Sequence, residues 1–233
     1  MLTDHPAPGV RTLGLRLSQA YLVDLDDRLL LVDAGVPGNA ARILAAVRDA
    51  GRAPGDIRSI AVTHQHADHA GSVAAVSRAT GAEVLIHSLD APPLRDGLAP
   101  VTGTLVGPLG RLGSGFAPRA RLEAAPIARE LADGDRIGGP AGLRVVHTPG
   151  HTPGHVSLLL ERDGGTLFVG DAASNLLGRL GRPIVAADWG AVARSAALIA
   201  SLDFEVALFG HGPAIRGRAV ARFRLLAERL ATR

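Results

Sequence analysis

A chain of 233 residues with 47% hydrophobic side chains carries enough apolar material for one substantial core, which excludes a disordered chain. It has no cysteine, so disulfides and thiolate metal sites are excluded, and its apolar runs are broken by Arg, Asp or Gly well short of the ~18 residues that span a bilayer. The isoelectric point of 10.7 accompanies a net charge of only +3, because all 25 basic residues are arginine and almost nothing titrates between neutrality and the guanidinium group, so the high value does not point to a polyanionic partner.

Asp4, His5 and Pro6 belong to no basic region leading into an apolar stretch, so no signal peptide is expected and the cytoplasm is the expected location. Gln19 to Leu25 and Arg28 to Asp33 read as a hairpin turned by Asp26 and Asp27. A helix follows, with Asn39 as its cap, Ile43, Leu44 and Val47 on one face and Gly51 past its end. Arg58 to Val62 is a strand, Ser72 to Ala79 a helix and Glu83 to His87 another strand. Ser88 to Ala125 then breaks the rhythm with Pro92, Pro93, Pro100, Pro108 and Pro118, and reads as an insertion with short helical pieces. Loops of that length inside a domain are usually lids or binding segments, so it is expected to cover the active site. Strands resume near Glu130 and at Leu143 to His147, Val156 to Leu160, Thr166 to Val169 and Val206 to Phe209, with helices at Gly190 to Ser201 and Gly217 to Ala231. One domain over residues 1–233 is the simplest organisation.

The chemistry concentrates in Thr63-His64-Gln65-His66-Ala67-Asp68-His69, where three imidazoles and a carboxylate follow an apolar strand. Imidazole nitrogen and carboxylate oxygen hold zinc, iron or manganese when no thiolate is present. Three later strands also run into such residues: Val145-Val146 into His151, Leu167-Phe168-Val169 into Asp171, and Val206 to Phe209 into His211. If these strands share a sandwich, their ends converge on one rim, and the Gly and Pro residues at each junction let the backbone re-aim a side chain.

The order His64-X-His66-X-Asp68-His69, His151, Asp171, His211 resembles the metallo-β-lactamase fold superfamily of binuclear hydrolases over most of the chain. The resemblance implies an α/β (α+β) fold, a four-layer αββα sandwich of two mixed sheets flanked by helices. It implies a first metal held by His64, His66 and His151, a second by Asp68, His69 and His211, and Asp171 bridging them, with Asp33 and His155 supporting the ligands. The implied cofactors are two divalent ions, zinc first, with iron or manganese compatible. Two such ions would lower the pKa of a bridging water from 15.7 to about 7, and the hydroxide would attack a carbonyl with Asp68 orienting it as the catalytic carboxylate. His87 and His147 match no ligand position and are read as structural.

Ester, thioester or lactone cleavage follows as the expected reaction. Glutathione thioesterases of the superfamily use a helical C-terminal domain, whereas 22 residues follow His211; lactonases often place a tyrosine shortly after the bridging aspartate, whereas the one tyrosine here is Tyr21. True β-lactamases usually lack the bridging aspartate, and the nuclease branch carries an added domain. Persulfide dioxygenases, which use one iron, are the alternative, and a non-catalytic binding protein of the same fold ranks below both. The expected partner is a small-molecule substrate, with no nucleic acid and no membrane, and with room for a homodimer. Leu105, Leu109, Phe116, Leu176, Leu177 and Trp189 are candidates to line an acyl pocket, and Arg95, Arg111, Arg119, Arg179 or Arg182 to meet an anionic group.

Overall fold

A computed structural model describes residues 2–99, 104–105 and 120–232. Leu2–Ala7 (β1) and Val10–Gly14 (β2) form an antiparallel hairpin about Pro8 and Gly9, where Gly9 has φ +67°, a hairpin not among the elements expected from the sequence. Gln19–Asp24 (β3) and Leu29–Val32 (β4) extend it, and then Ala40–Asp49 (α1) crosses to Ile57–Val62 (β5). Ala67–Ala70 (α2) and Val73–Thr80 (α3) lead into Glu83–His87 (β6). Beyond it lie Ala91–Arg95 (α4) and the short strands Leu98–Ala99 (β7), Thr104–Leu105 (β8) and Ala120–Arg121 (β9), and Ile127–Leu131 (β10) closes a seven-stranded sheet of order β1-β2-β3-β4-β5-β6-β10. Pairing is antiparallel up to β4 and parallel from β4 to β10.

Arg136–Ile137 (β11), Leu143–His147 (β12), Val156–Leu160 (β13) and Thr166–Gly170 (β14) begin the second sheet. Val185–Ala186 (β15) and Trp189–Ala200 (α5) precede Val206–Phe209 (β16), Ile215–Arg216 (β17) and Ala219–Ala231 (α6). The second sheet runs β11-β12-β13-β14-β16-β17, with β14 and β16 parallel and the other pairs antiparallel. Strand alternation sends Leu29 and Leu31 of β4 towards α1 and α3, and Leu30 and Val32 towards the other sheet. Between the sheets Tyr21, Val32, Ala61 and Leu85 join Val145, Leu158, Phe168 and Leu208, and outside the second sheet Ile199, Phe204, Phe223 and Leu226 bury Leu167, Val169 and Phe209. Two mixed sheets sit face to face with helices on both outer faces, the αββα sandwich expected from the sequence.

Local departures have identifiable causes. Asn39 precedes α1 but its side chain does not cap the helix: its amide donates to the Val36 carbonyl at 3.1 Å, inside its own turn. α6 starts two residues later than expected because Gly217 and Arg218 are left-handed, at φ +69° and +54°, and cannot join a right-handed helix. Within the insertion, α4 is a short helical piece, and β8 pairs with β15. Leu109, Arg111, Phe116 and Arg119 lie outside the described residues. No helix among the described residues is long and apolar enough to cross a membrane.

Phe223 lies flat on Phe209, with ring centroids 6.2 Å apart, and edge-on to Phe204 at 5.7 Å, all three fully buried. Phe223→Ala is expected to cost about 3–5 kcal/mol through the cavity it leaves. Urea denaturation checks it: the midpoint falls, with the slope unchanged.

Candidate metal centre

Each of the strands singled out in the sequence ends at the same edge of the sandwich. β4 runs into Asp33, β5 into Thr63 and His64, β12 into the turn bearing His151, β14 into Asp171 and β16 into His211. Glycine is required at one of these junctions for space: a Cβ on Gly210 would collide with the Asp171 carboxylate and the His69 ring. Gly170 has φ +56°, which turns the chain out of β14 directly at Asp171.

The side chains gather into three sets, His64-His66-His151, His64-His69-Asp171 and Asp68-His69-His211, in each of which the donor atoms lie within 4.8 Å of one another. His64 Nε2 is 3.1 Å from His151 Nε2, His66 Nδ1 is 2.8 Å from His151 Nε2, and His69 Nε2 is 3.4 Å from His211 Nε2. Asp171 Oδ2 lies 3.5 Å from His151 Nε2 and 3.3 Å from His211 Nε2, spanning the first set and the last. A tetrahedral ion with nitrogen ligands at about 2.0–2.1 Å separates those nitrogens by about 3.3 Å, so the spacing fits a divalent cation of that size. All seven residues proposed as ligands from the sequence are thus brought together.

The opposite ring nitrogens explain why these faces point inward. His69 Nδ1 donates to Asp33 Oδ2 at 2.8 Å, His151 Nδ1 to the Val185 carbonyl at 2.7 Å, and His211 Nδ1 to the Leu17 carbonyl at 2.9 Å. The Thr63 hydroxyl donates to Asp33 Oδ2 at 2.8 Å and accepts from His64 Nδ1 at 3.0 Å. Each of these bonds keeps the proton of the neutral ring on Nδ1, so that Nε2 is the nitrogen free to offer its lone pair when a metal binds. His66 is turned the other way: its Nδ1 faces the cluster, and its buried Nε2 has no hydrogen-bond partner among the described residues. His155 is buried beside the cluster, where its Nε2 accepts the Asp171 N–H at 2.9 Å and its Nδ1 meets the Thr148 hydroxyl at 2.9 Å. His87 and His147 stack on each other, with centroids 4.2 Å apart, and belong to none of the donor sets.

Electrostatics divides the cluster in two. Burial and the neighbouring imidazoles His69, His151 and His66 hold His64 well below its usual range, and burial, His151 and His69 bring His66 to about 3, so both are neutral ligands in waiting. Burial also pulls His69 and His211 down, but the surrounding carboxylates outweigh it: Asp171, Asp33 and Asp68 raise His69 to about 9, and hydrogen bonds to Asp171 and Asp68 raise His211 to about 11. Burial works to raise Asp68, yet the bond to His211 and the charge of His69 bring it to about 2, and Asp171 is held lower still by the same partners and His151.

Asp90, which sits inside the proline-rich insertion and carries no motif, is not among the site residues expected from the sequence. It is fully buried, and its carboxylate accepts from Gln65 N–H at 3.1 Å, the Thr152 hydroxyl at 2.6 Å and Gly154 N–H at 2.8 Å. Gln65 lies between His64 and His66, and Thr152 follows His151, so one carboxylate ties together the two loops that carry the first set. Gly154 has no room for a side chain, since a Cβ there would sit 2.6 Å from Asp90 Oδ1. The stretch from Ser88 to Pro93 carries no signal for this beyond an Asp between two apolar residues, Leu89 and Ala91.

Removing that carboxylate unties both loops, and Asp90→Ala is expected to weaken Zn²⁺ binding by about 10–100-fold in chelator competition. A second test uses protons. At pH 7 the metal-free chain holds protons on His69 and His211, which titrate at about 9 and about 11, and a cation entering the Asp68-His69-His211 set displaces both. Affinity for that ion therefore rises with pH by about a hundredfold per unit while both histidines are protonated, and by about tenfold per unit once His69 has lost its proton and only His211 retains one. Calorimetric titrations in buffers of different ionisation enthalpy are expected to read close to two protons released.

Comparison with known proteins agrees with this geometry. YflN of Bacillus subtilis, described as a probable metallo-hydrolase, is 27% identical over 91% of this chain and 87% of its own. A hydroxyacylglutathione hydrolase of Anaeromyxobacter dehalogenans is 38% identical over 65% of this chain, which spans 44% of that protein's length. Among solved structures, the metallo-beta-lactamase MIM-1 of Novosphingobium pentaromativorans superposes with a TM-score of 0.73 at 25% identity, over 98% of this chain and 87% of that one. The profile of the metallo-beta-lactamase superfamily matches residues 13–211, from β2 to the last histidine of the cluster, and the chain belongs to that superfamily.

Proposed function

We propose that this metallohydrolase is binuclear and cleaves an ester, thioester or lactone bond, with His64, His66 and His151 holding one ion, Asp68, His69 and His211 the other, and Asp171 shared. The observation that carries the reading is the completeness of both donor sets, bridged by Asp171. When bound there, two divalent ions, zinc by preference, would lower the pKa of a water to about 7 and polarise the scissile carbonyl. Thioester cleavage gains support from the hydroxyacylglutathione hydrolases among the relatives.

Asp68 is the residue on which catalysis turns. Its carboxylate lines the cavity beside the cluster, 3.2 Å from His211 Nε2, and stays ionised throughout the working pH range because its titration is held at about 2. There it can orient the attacking water and accept its proton. In the balanced reaction water supplies OH to the acyl carbon and H to the departing oxygen or sulfur, as the acyl bond breaks. Asp33 and His155 take no proton in this scheme; they hold His69 and the Asp171 backbone in place. The insertion flanks the site through β8, paired with the strand whose Val185 carbonyl holds His151.

Protein purified without added metal is expected to carry close to two equivalents of transition metal per chain by elemental analysis. His211→Ala is expected to lower that content and to cut kcat on a thioester by about a hundredfold or more. One iron per chain, with persulfide-dependent oxygen uptake untouched by His211→Ala, would replace this reading with a mononuclear dioxygenase. Inert ester, thioester and lactone panels at full metal loading would leave only a binding role.

A further inference from the structure

Beside the donor cluster opens a cavity of about 470 Å³, within the ordinary range for a small-molecule site. Its floor is formed by His66, Asp68, His151, Asp171 and His211. Apart from Ser174, whose hydroxyl is engaged with the Arg182 carbonyl at 3.0 Å, its walls are aliphatic: Leu17 from the turn between β2 and β3, Val36 after β4, and Leu176, Pro183, Ile184 and Val185 from the chain that follows Asp171. Among the described residues seven large hydrophobics are exposed, and three of them line this one cavity: Leu17 at 69%, Leu176 at 41% and Ile184 at 50%. Large aliphatic side chains gathered at one exposed rim mark a surface that meets an apolar ligand.

The rim is built in advance. Ser174 and Gly181 exchange two backbone hydrogen bonds, at 3.0 and 2.9 Å, closing the loop between them. Within that loop Leu177 takes φ +53°, a conformation costly for any residue with a Cβ, and the turn leaves Leu176 on the cavity wall. A wall held in place before binding loses less to ordering when the ligand arrives.

Charge is placed elsewhere. Arg95 bonds Glu130 at 2.7 Å, Arg182 lies 5.2 Å over the Trp189 ring, and Arg179 lines a separate depression against α6 with Arg222 and Arg229. Among the described residues no arginine lines the cavity. Neither Leu177 nor Trp189, expected from the sequence as lining, reaches it. An anionic group on the substrate would have to give up its hydration against these aliphatic side chains, where among the described residues no arginine stands to receive it.

We infer that the cavity takes the uncharged aliphatic chain of an acyl substrate, and that the substrate presents no anionic group to this wall, as a glutathione conjugate would. The inference rests on the hydrolase reading and narrows it to neutral acyl esters, lactones or thioesters with a hydrocarbon tail.

The test uses ligands the enzyme cannot turn over quickly and reads binding apart from catalysis. Butanamide, hexanamide and octanamide are titrated calorimetrically into the metal-loaded protein, with S-octylglutathione as the anionic probe carrying the same chain. The dissociation constant is expected to fall by up to about fourfold per methylene, the limit for full burial, and octanamide to bind more tightly than S-octylglutathione. Leu176→Asp and Ile184→Asp, at half-exposed positions, are expected to flatten the length dependence while metal content and circular dichroism stay unchanged. No dependence on chain length, or tighter binding of S-octylglutathione, would overturn the inference. A parallel series of p-nitrophenyl esters separates the two readings: hydrolysis with no preference for chain length sinks this inference alone, whereas length-dependent amide binding with no hydrolysis of any ester upholds the cavity and sinks the hydrolase.

Discussion

Asp33 accepts three hydrogen bonds in a place closed to water: from Thr63 N–H at 2.8 Å, from the Thr63 hydroxyl at 2.8 Å and from His69 Nδ1 at 2.8 Å. A carboxylate removed from water costs several kcal/mol unless such donors replace its hydration, so the carboxylate and its three donors hold one another in position. The Thr63 hydroxyl, having given its proton to Asp33, can only accept from His64, and His69 has given its Nδ1 proton directly. One buried carboxylate thereby orients two imidazoles, His64 of the His64-His66-His151 set and His69 of the Asp68-His69-His211 set, which meet in the third set with Asp171. Asp33 itself is left-handed, at φ +59°, a strained conformation that persists because this network over-determines it.

Around that anchor the sandwich solves a spacing problem. Seven donor residues must approach within a few ångströms, although like-charged or like-polarised groups at that distance oppose one another. Strand ends do this without bending the sheets, since parallel β4, β5 and β6 in one sheet and β14 with β16 in the other deliver their C-terminal residues to a common edge. Asp90 then ties the turn of His64 and His66 to that of His151, and His155 holds the Asp171 backbone. The metal-free cluster is partly compensated: protonated His69 and His211 offset two of the three carboxylates, Asp33, Asp68 and Asp171, that surround them. Metal binding and proton loss are consequently one event in the second set.

The cluster and the rim answer different questions. Donor type and spacing select the chemistry, and they lie within the span matched by the superfamily profile. The rim comes from the turn before β3 and the chain between Asp171 and α5, segments with no ladder of their own beyond the two-residue β15. Such segments change length and composition at little cost to the sandwich, which is why closely similar centres can serve unlike substrates.

Much of the fold was legible in the sequence because it depends on short-range patterns. Short, nearly continuous apolar runs in β3, β4, β12, β13 and β14 and glycines past α1 and α3 mark elements whose boundaries agree within a residue or two. The hairpin of β1 and β2 was not legible, since Leu2 to Gly14 mixes polar and apolar residues and gains its stability from pairing with β3. The histidine run, with Asp171 and His211 at later strand ends, was legible because ligand chemistry restricts residue type and each sits at a junction. Asp90 was not, since its role consists of hydrogen bonds to Gln65, Thr152 and Gly154, up to 64 positions away. Nor was the choice between arginine and leucine at the cavity wall: Arg179, Arg182, Leu176 and Ile184 are near neighbours in sequence, and only the closed loop between Ser174 and Gly181, with the strained turn inside it, decides which of them face the metal centre. Sequence by itself determined the main strands and helices and the candidate donors, because these are written in residue type and local apolar pattern, while the sandwich was implied by the resemblance those donors carry; tertiary structure decided how the donors are oriented and what the cavity admits, because those depend on contacts between segments far apart in the chain.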